Sequence, residues 1–309
     1  MVKYIIRRLI AMIPVVIGIT FLVFMIMQLA PGDPVRMILG DSAEPEAIEA
    51  MREEMGLNDP VLVQYGRYMV NLLHGDMGTS YTNQRPVAHE VFSRVPATFE
   101  LALVSAVVSI LIAIPLGVVA AVKQNTLFDN LSMVLSLVGI SMPAFWLALM
   151  LMLVFSLRLG WFPVQGNSDG WRSFVLPSIA IGFMNMAAIA RTTRSSMLET
   201  IRQDYIRTAR SKGISEGEVI MHHAFGNALI PTITVVGVQL GGLLGGAVLT
   251  ETVFAWPGLG RLMVQAVNGR DVPVVMGCIV ILSIGFSIVN LIVDLAYGFI
   301  DPRVRTMYH

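Results

Sequence analysis

Six long runs of apolar residues divide this chain, and polar stretches separate them. A helix of about 20 apolar residues crosses the ~30 Å hydrocarbon core of a bilayer. The hydrophobic pattern therefore predicts an all-α integral membrane protein with six transmembrane helices. The predicted spans are Leu9–Ala30, Thr98–Val122, Leu131–Leu157, Leu176–Ala190, Leu229–Thr250 and Val274–Tyr297.

A long polar stretch, the cap region (31–97), follows the first predicted span. Pro45 is suited to the first turn of a short helix, which Gly56 would end. Val61–His74 has the apolar spacing of a second amphipathic helix. We predict a small helical cap outside the membrane. A purely structural cap and a cap that touches the substrate both stay open.

The second prominent polar stretch, residues 191–228, carries charges that exclude it from hydrocarbon. Arg207, Arg210 and Lys212 lie close in sequence to Glu216, and each charge at the bilayer centre would cost roughly 2.5–3.5 kcal/mol. This stretch must therefore lie at one membrane face, joined at both ends to spanning helices. A force applied to it would move those helices.

The basic residues orient the chain. Lys3, Arg7 and Arg8 precede the first span, and a dense basic cluster occupies 191–212. Lys and Arg concentrate on the cytoplasmic side of membrane proteins. We predict that residues 1–30 form a cytoplasmic N-terminus and a first transmembrane helix, too long for a signal peptide. The cap region lies outside, 98–300 form the transmembrane core with the other five helices, and the tail 301–309 returns to the cytoplasm.

Composition agrees with a membrane location and narrows the partners. Hydrophobic residues make up 55% of the chain and charged residues 14%, against about 25% charged in soluble domains. The net charge is zero, which argues against nucleic acid as a partner. The single cysteine, Cys278, lies in an apolar run and rules out a disulfide framework.

Three features bear on catalysis and cofactors. The chain contains no P-loop motif, so any ATP must be bound and hydrolysed by a partner. Ser168 lies in a Gly-x-Ser-x-Gly pattern, but within a polar loop rather than the strand–turn–helix that a catalytic serine of this kind needs. His222 and His223 are adjacent, which is unsuited to chelation in the manner of an HExxH helix. We predict no enzyme activity, no metal and no cofactor.

Several short motifs together resemble one family. The motifs are Pro31-Gly32-Asp33-Pro34, Gly75-Asp76-Met77-Gly78-Thr79-Ser80, Arg94-Val95-Pro96-Ala97-Thr98, Tyr205–Gly213, Asn227–Pro231, Glu251-Thr252-Val253-Phe254, Pro257-Gly258-Leu259-Gly260, Arg270-Asp271-Val272-Pro273 and Asp301-Pro302-Arg303. With them, the chain is similar to the permease subunits of bacterial ABC importers, in the dipeptide, oligopeptide, glutathione and nickel group. The resemblance covers nearly the whole chain.

The resemblance implies a fold, a location and partners. It implies the type I importer permease fold in the lipid bilayer of the bacterial inner membrane. It also implies a second homologous permease, two cytoplasmic ATPases and an extracytoplasmic solute-binding protein. The substrate stays open among dipeptides, longer peptides, glutathione and a nickel chelate.

By the same resemblance, residues 191–228 form a coupling loop that docks on an ATPase. Arg207-Thr208-Ala209 occupies the positions where the wider family has Glu-Ala-Ala, so the acidic residue is missing here. Ala209 would allow close packing against the partner, and Gly213 would allow a positive φ. A helix Ile214–Met221 would follow, with a capping box formed by Ser215 and Glu218. The predicted coupling residues are Arg207, Thr208, Ala209, Lys212, Gly213, Ile214, Ser215, Glu216, Glu218 and His222.

Polar and small residues in the fourth and fifth spans are candidates for the translocation path. Asn185, Gln239 and Gly242 could line a passage. Gln239 could instead donate a hydrogen bond to a neighbouring helix, the alternative we favour. The glycines at 241, 242, 245 and 246 would let another helix approach closely, either within this chain or from a second permease.

Other functions stay as alternatives to the ATP-driven importer. An ion-coupled secondary transporter would show internal repeats and ionisable residues at mid-membrane, and we detect no repeat and few such acids. A membrane-embedded hydrolase would depend on Ser168 alone. Nothing in the sequence resembles the selectivity filter of a channel.

Overall fold

The computed structural model describes residues 2–29, 32–40 and 42–300, so the tail 301–309, with Asp301-Pro302-Arg303, lies outside the described residues. The described chain is almost entirely helical. Its helices are α1 Val2–Leu29, α2 Pro34–Leu39, α3 Pro45–Glu54, α4 Val61–Leu73, α5 Val87–Phe92, α6 Val95–Val122, α7 Leu127–Ser141, α8 Ala144–Leu151, α9 Trp171–Ile201, α10 Asp204–Ser211, α11 Glu216–Glu218, α12 Phe225–Val253, α13 Leu259–Asn268 and α14 Val272–Ile300. Two π-helical segments, Met152–Arg158 and Val219–Ala224, extend α8 and join α11 to α12.

Five helical segments are long and apolar enough to cross a membrane within the described residues. These segments are Ile5–Leu29, Val87–Val122, Trp171–Ile201, Glu216–Val253 and Val272–Ala296. A sixth candidate is a bent pair, Leu127–Ser141 with Ala144–Arg158. The prediction of an all-helical membrane protein is confirmed, with five or six candidate spans.

The third predicted span, Leu131–Leu157, is not one straight helix. Its two parts meet at an angle of 110°, where Met142 adopts an extended conformation and Pro143 caps α8. Proline disfavours helical geometry in the residue before it. Pro143 therefore breaks the helix instead of only kinking it.

The fourth predicted span, Leu176–Ala190, is too short at both ends. Helix α9 begins at Trp171, before the predicted start at Leu176, and ends at Ile201, well beyond the predicted end at Ala190. Its last turns bury Thr193 and Thr200, whose hydroxyls donate to carbonyls of the same helix. Hydropathy alone treats these residues as polar, although their side chains are satisfied within the helix.

The chain separates into two compact units. The first unit comprises Glu100–Ala255 and the described residues from Ile288 onward, and the second comprises Val2–Phe99 with Trp256–Ser287. Each unit has its own buried apolar clusters.

In the first unit, helices approach α9 closely at glycines. A Cβ on Gly117 of α6 would lie 2.6 Å from the Ala190 carbonyl oxygen. A Cβ on Gly139 of α7 would lie 3.1 Å from the side chains of Ala187 and Phe183. Small residues let membrane helices pack backbone against backbone, and α9 is the element on which α6 and α7 pack in this way.

In the second unit, the cap helices form as expected. Helix α3 begins at Pro45, and Gly56 follows it with φ +64°. Helix α4 packs on α1, where the Tyr65 hydroxyl lies 3.0 Å from the Thr20 hydroxyl. The two predicted cap helices are confirmed.

Candidate coupling site and the polar pair between two membrane helices

Because α9 ends at Ile201 and α12 begins at Phe225, the coupling loop in the structure is confined to residues 202–224. Helix α10 and the start of the continuous helical run from α11 into α12 lie on either side of a tight turn. Helix α10 ends at Ser211, and Gly213 adopts φ +79°. Apart from its chain neighbours, no atom of the described residues lies within 4 Å of the position that a Cβ on Gly213 would occupy. The predicted positive φ is confirmed, and the need for glycine comes from backbone conformation and not from crowding.

The helix predicted for Ile214–Met221 differs from expectation in two ways. It begins at Glu216 and continues through the π-helical segment into α12, so it is not a separate helix. Ser215 occupies the N-cap position, but its side chain makes no capping hydrogen bond within the described residues. The Ser215 carbonyl accepts the Val219 N–H at 2.9 Å instead, and the predicted capping box is wrong.

An ion pair spans the turn at Gly213. Arg210 donates from Nε and Nη2 to the two carboxylate oxygens of Glu216, at 2.9 and 2.7 Å. The hydrogen bond from Arg210 to Glu216 raises the pKa of Arg210 above its ordinary value. Because both side chains are exposed, the pair stabilises the turn by only about 0.2–1 kcal/mol.

One face of the coupling loop packs on the chain's own core. Ile206 and Ala209 of α10 are buried with Val219, beside Met197 of α9 and Ala121 of α6. The expectation that Ala209 faces a partner is wrong. The spacing of Ile206 and Ala209 places both on the inner face of α10.

The opposite face of the coupling loop is open to solvent. The exposed predicted residues are Arg207, Thr208, Lys212, Gly213, Ser215, Glu216, Glu218 and His222, and Ile214 is half-buried. The sequence prediction omitted two large side chains on this surface, Tyr205 and Met221, which are 44% and 54% exposed. The sequence did contain a sign of them: each is a large apolar residue whose helical position lies on a different face from the buried Ile206 and Val219. The surface thus combines mixed charges with two apolar side chains.

The three candidate residues for the translocation path have different surroundings: Asn185 and Gln239 are hydrogen-bonded to each other, and Gly242 lies on an open face of α12. Gln239 Nε2 of α12 donates to Asn185 Oδ1 of α9 at 2.9 Å. A Cβ on Gly241 would lie 2.9 Å from Asn290 Oδ1 of α14, whereas one on Gly242 would meet no described atom within 4 Å beyond its chain neighbours and the nearby backbone of α12 itself. The hydrogen-bonding role favoured for Gln239 is present, and Gly242 is exposed.

The other candidate groups are dispersed. Ser168 lies in an exposed loop, with its hydroxyl 3.4 Å from Asp169 Oδ1. Among the residues that the structure describes, no three His, Cys, Asp or Glu side chains come together as metal ligands.

Two family profiles match consecutive parts of the chain. The profile described as "Binding-protein-dependent transport system inner membrane component" matches residues 113–306. The corresponding N-terminal profile, for the membrane component of such systems, matches residues 1–102.

Curated relatives match over almost the full length of the chain. The dipeptide transport system permease protein of Alkalihalophilus pseudofirmus is 46% identical, covering 99% of this chain and 100% of the relative. The glutathione transport system permease protein of Salmonella paratyphi A is 43% identical, covering 99% of each chain. A putative peptide transport system permease protein of Brucella abortus is 45% identical, also covering 99% of each.

A solved structure shares the fold. It is an inward-facing conformation of the MetNI methionine ABC transporter, with a TM-score of 0.58 and 19% identity. The match covers 68% of this chain and 95% of that chain. The identity is low, so this likeness concerns the fold alone. The family profiles and the relatives show that the chain belongs to the inner-membrane permease family of binding-protein-dependent ABC transporters, whose members are transport subunits and not themselves catalytic.

Proposed function

We propose that this chain pairs with a second, similar permease, two cytoplasmic ATPases and an external solute-binding protein to import short peptides. The relatives' names cover a dipeptide, glutathione and peptides, which share peptide-type amide bonds and charged ends. Within the chain, the observation that carries the proposal is the coupling loop. Its solvent-exposed face lies on a turn whose other face is packed into the core.

The proposed coupling is mechanical. ATP-driven closure of the ATPases displaces the coupling loop, and the buried contacts of Ile206 and Val219 carry that displacement into α9 and α12. A packed interior responds by moving helices between discrete arrangements and not by deforming gradually. The passage is thereby converted between inward- and outward-facing states.

The proposed topology has six spans in the type I importer permease fold, with the bent pair α7 and α8 counted as one span. Both termini and the coupling loop are cytoplasmic, and the cap region is extracytoplasmic. The basic cluster within 191–212 supports this orientation.

The proposed path runs beside α9 and α12. Asn185 and Gln239 hold these helices together by their hydrogen bond, and the exposed Gly242 leaves room on the neighbouring face of α12. A break of this hydrogen bond would free one amide on each helix to face a passing peptide.

The proposal is tested by uptake into proteoliposomes that contain the complete transport complex and its binding protein. The probes are radiolabelled alanyl-alanine, glutathione and a pentapeptide. We expect uptake of at least one probe that stops when ATP is removed and persists when ionophores collapse the ion gradients. Uptake that persists without ATP and stops with ionophores would contradict the proposal and support a secondary transporter.

A further inference from the structure

An ion pair with a buried carboxylate joins α7 to α9 in the first unit. Arg194 donates from Nε to Asp129 Oδ1 at 2.5 Å and from Nη2 to Asp129 Oδ2 at 2.7 Å. The Asp129 side chain is 2% exposed and the Arg194 side chain 20%. Two parallel hydrogen bonds fix the relative orientation of the two groups as well as their distance.

The same carboxylate holds the turn between α6 and α7. Asp129 Oδ2 accepts the Asn125 N–H at 2.9 Å, and Asn125 adopts φ +62°. Asp129 therefore fixes the entry of α7 and its attachment to α9 through one side chain.

Other polar residues on the buried face of α7 bond within their own helix. The hydroxyls of Ser132 and Ser136 donate to carbonyls of α7, each at 2.8 Å. Gly139 provides close contact with α9 but has no hydrogen-bonding side chain. Within the described residues of α7, Asp129 thus supplies the side-chain hydrogen bonds to α9.

Arg194 lies where α9 meets the elements that carry the coupling loop. On the preceding residue, the Thr193 hydroxyl lies 3.4 Å from the Thr232 hydroxyl of α12. One helical turn further on, Met197 is buried in the same cluster as Ile206 and Val219 of the coupling loop. A displacement of the coupling loop therefore reaches Arg194 through directly packed side chains.

We propose that Asp129 and Arg194 form a positioning pair that makes α7, and hence the bent pair α7–α8, move with the coupling loop. The inference rests on the proposed function, because it needs a force applied at the coupling loop. The bidentate pair adds a directional link to the packing between α7 and α9, because its two parallel hydrogen bonds resist sliding and rotation of one helix against the other. Without the pair, ATP hydrolysis continues while α7 follows α9 less completely.

The test measures the number of peptides transported per ATP hydrolysed, in proteoliposomes with the complete complex and a probe that the unaltered complex transports. The variants are Asp129→Asn, which removes the charge, and Arg194→Lys, which keeps the charge but not the planar fork. Asp169→Asn, in an exposed loop, is the matched control. Thermal unfolding of each complex establishes that the variant is folded.

We expect both variants to keep ATP hydrolysis while the ratio falls about tenfold, within the roughly 5- to 150-fold range of coupling between sites. The control should keep the ratio of the unaltered complex. An unchanged ratio in a folded variant would overturn the inference, and so would failure of both variants to fold, because the pair would then serve folding. If the unaltered complex shows no ATP-driven uptake, it is the proposed function that fails.

Discussion

Replacement of Gly213 by alanine changes the coupling loop at one defined torsion. The φ of +79° at Gly213 is in the left-handed region, which costs an L-residue roughly 1–2 kcal/mol. Among the described residues, the space for a methyl group is empty, so no steric clash adds to this cost.

This conformational cost is large enough to rearrange the turn. The Arg210–Glu216 ion pair that spans the turn stabilises it by only about 0.2–1 kcal/mol, less than the strain that alanine introduces. A change of about 1–2 kcal/mol corresponds to roughly a 5- to 30-fold change in a population. If the ATPases bind the turn only in its present conformation, their apparent affinity falls by up to that factor.

The assay is binding of the purified ATPases to the permease pair in nanodiscs. Gly160→Ala is the matched control, because Gly160 also has a positive φ and open space but lies in the loop before α9. We expect Gly213→Ala to weaken binding and Gly160→Ala to leave it unchanged. Gly213→Asn should have an intermediate effect, since asparagine tolerates this conformation better.

Two results would refute this reasoning. If a folded Gly213→Ala protein bound the ATPases as tightly as the unaltered chain, the conformation of the turn would not matter for docking. If Gly160→Ala weakened ATPase binding equally, the effect would come from general backbone strain and not from the turn at Gly213.

Three other substitutions test separate parts of the structure. Gly117→Ala should destabilise the protein by about 1–3 kcal/mol, because its methyl group would overlap the Ala190 carbonyl; thermal unfolding in detergent measures this, and unchanged stability would contradict it. Burial opposes ionisation of Asp33, but hydrogen bonds from Arg52 and a backbone N–H lower its pKa below the ordinary value. Ionised Asp33 therefore stabilises the folded protein above about pH 4, and this stabilisation is lost as pH falls through the lowered pKa. Asp33→Asn should remove this pH dependence of the free energy of unfolding. A pH dependence that survives in the variant would contradict the prediction. Ser168→Ala should leave peptide uptake unchanged, and a loss of uptake would revive the hydrolase alternative.

Hydropathy was sufficient to place the long helices but not their ends. The buried threonines of α9 satisfy their hydroxyls within the helix, so α9 extends beyond the apolar run that predicted it. Pro143 accounts for the break between α7 and α8, but the local sequence does not specify its angle of 110°. Both helices also pack on α9, a long-range contact that a local pattern does not reveal.

The charges and Gly213 were sufficient to predict an exposed tight turn between α9 and α12, but not which face of α10 is buried. The burial of Ala209 requires Met197 and Ala121, and Ala121 is remote in sequence. Asp129 and Arg194 are likewise separated by 65 positions. Single-residue patterns do not reveal such pairs, because nothing near either residue indicates its partner.

The central claim is that ATPases apply force at the exposed face of the coupling loop. A photoreactive phenylalanine analogue in place of the exposed Met221, in the complete complex, measures this contact directly. We predict crosslinks from position 221 to an ATPase subunit, with a yield that changes between nucleotide-free and ATP-bound states. No crosslink to an ATPase, in a complex that still carries out ATP-driven peptide uptake, would contradict the account.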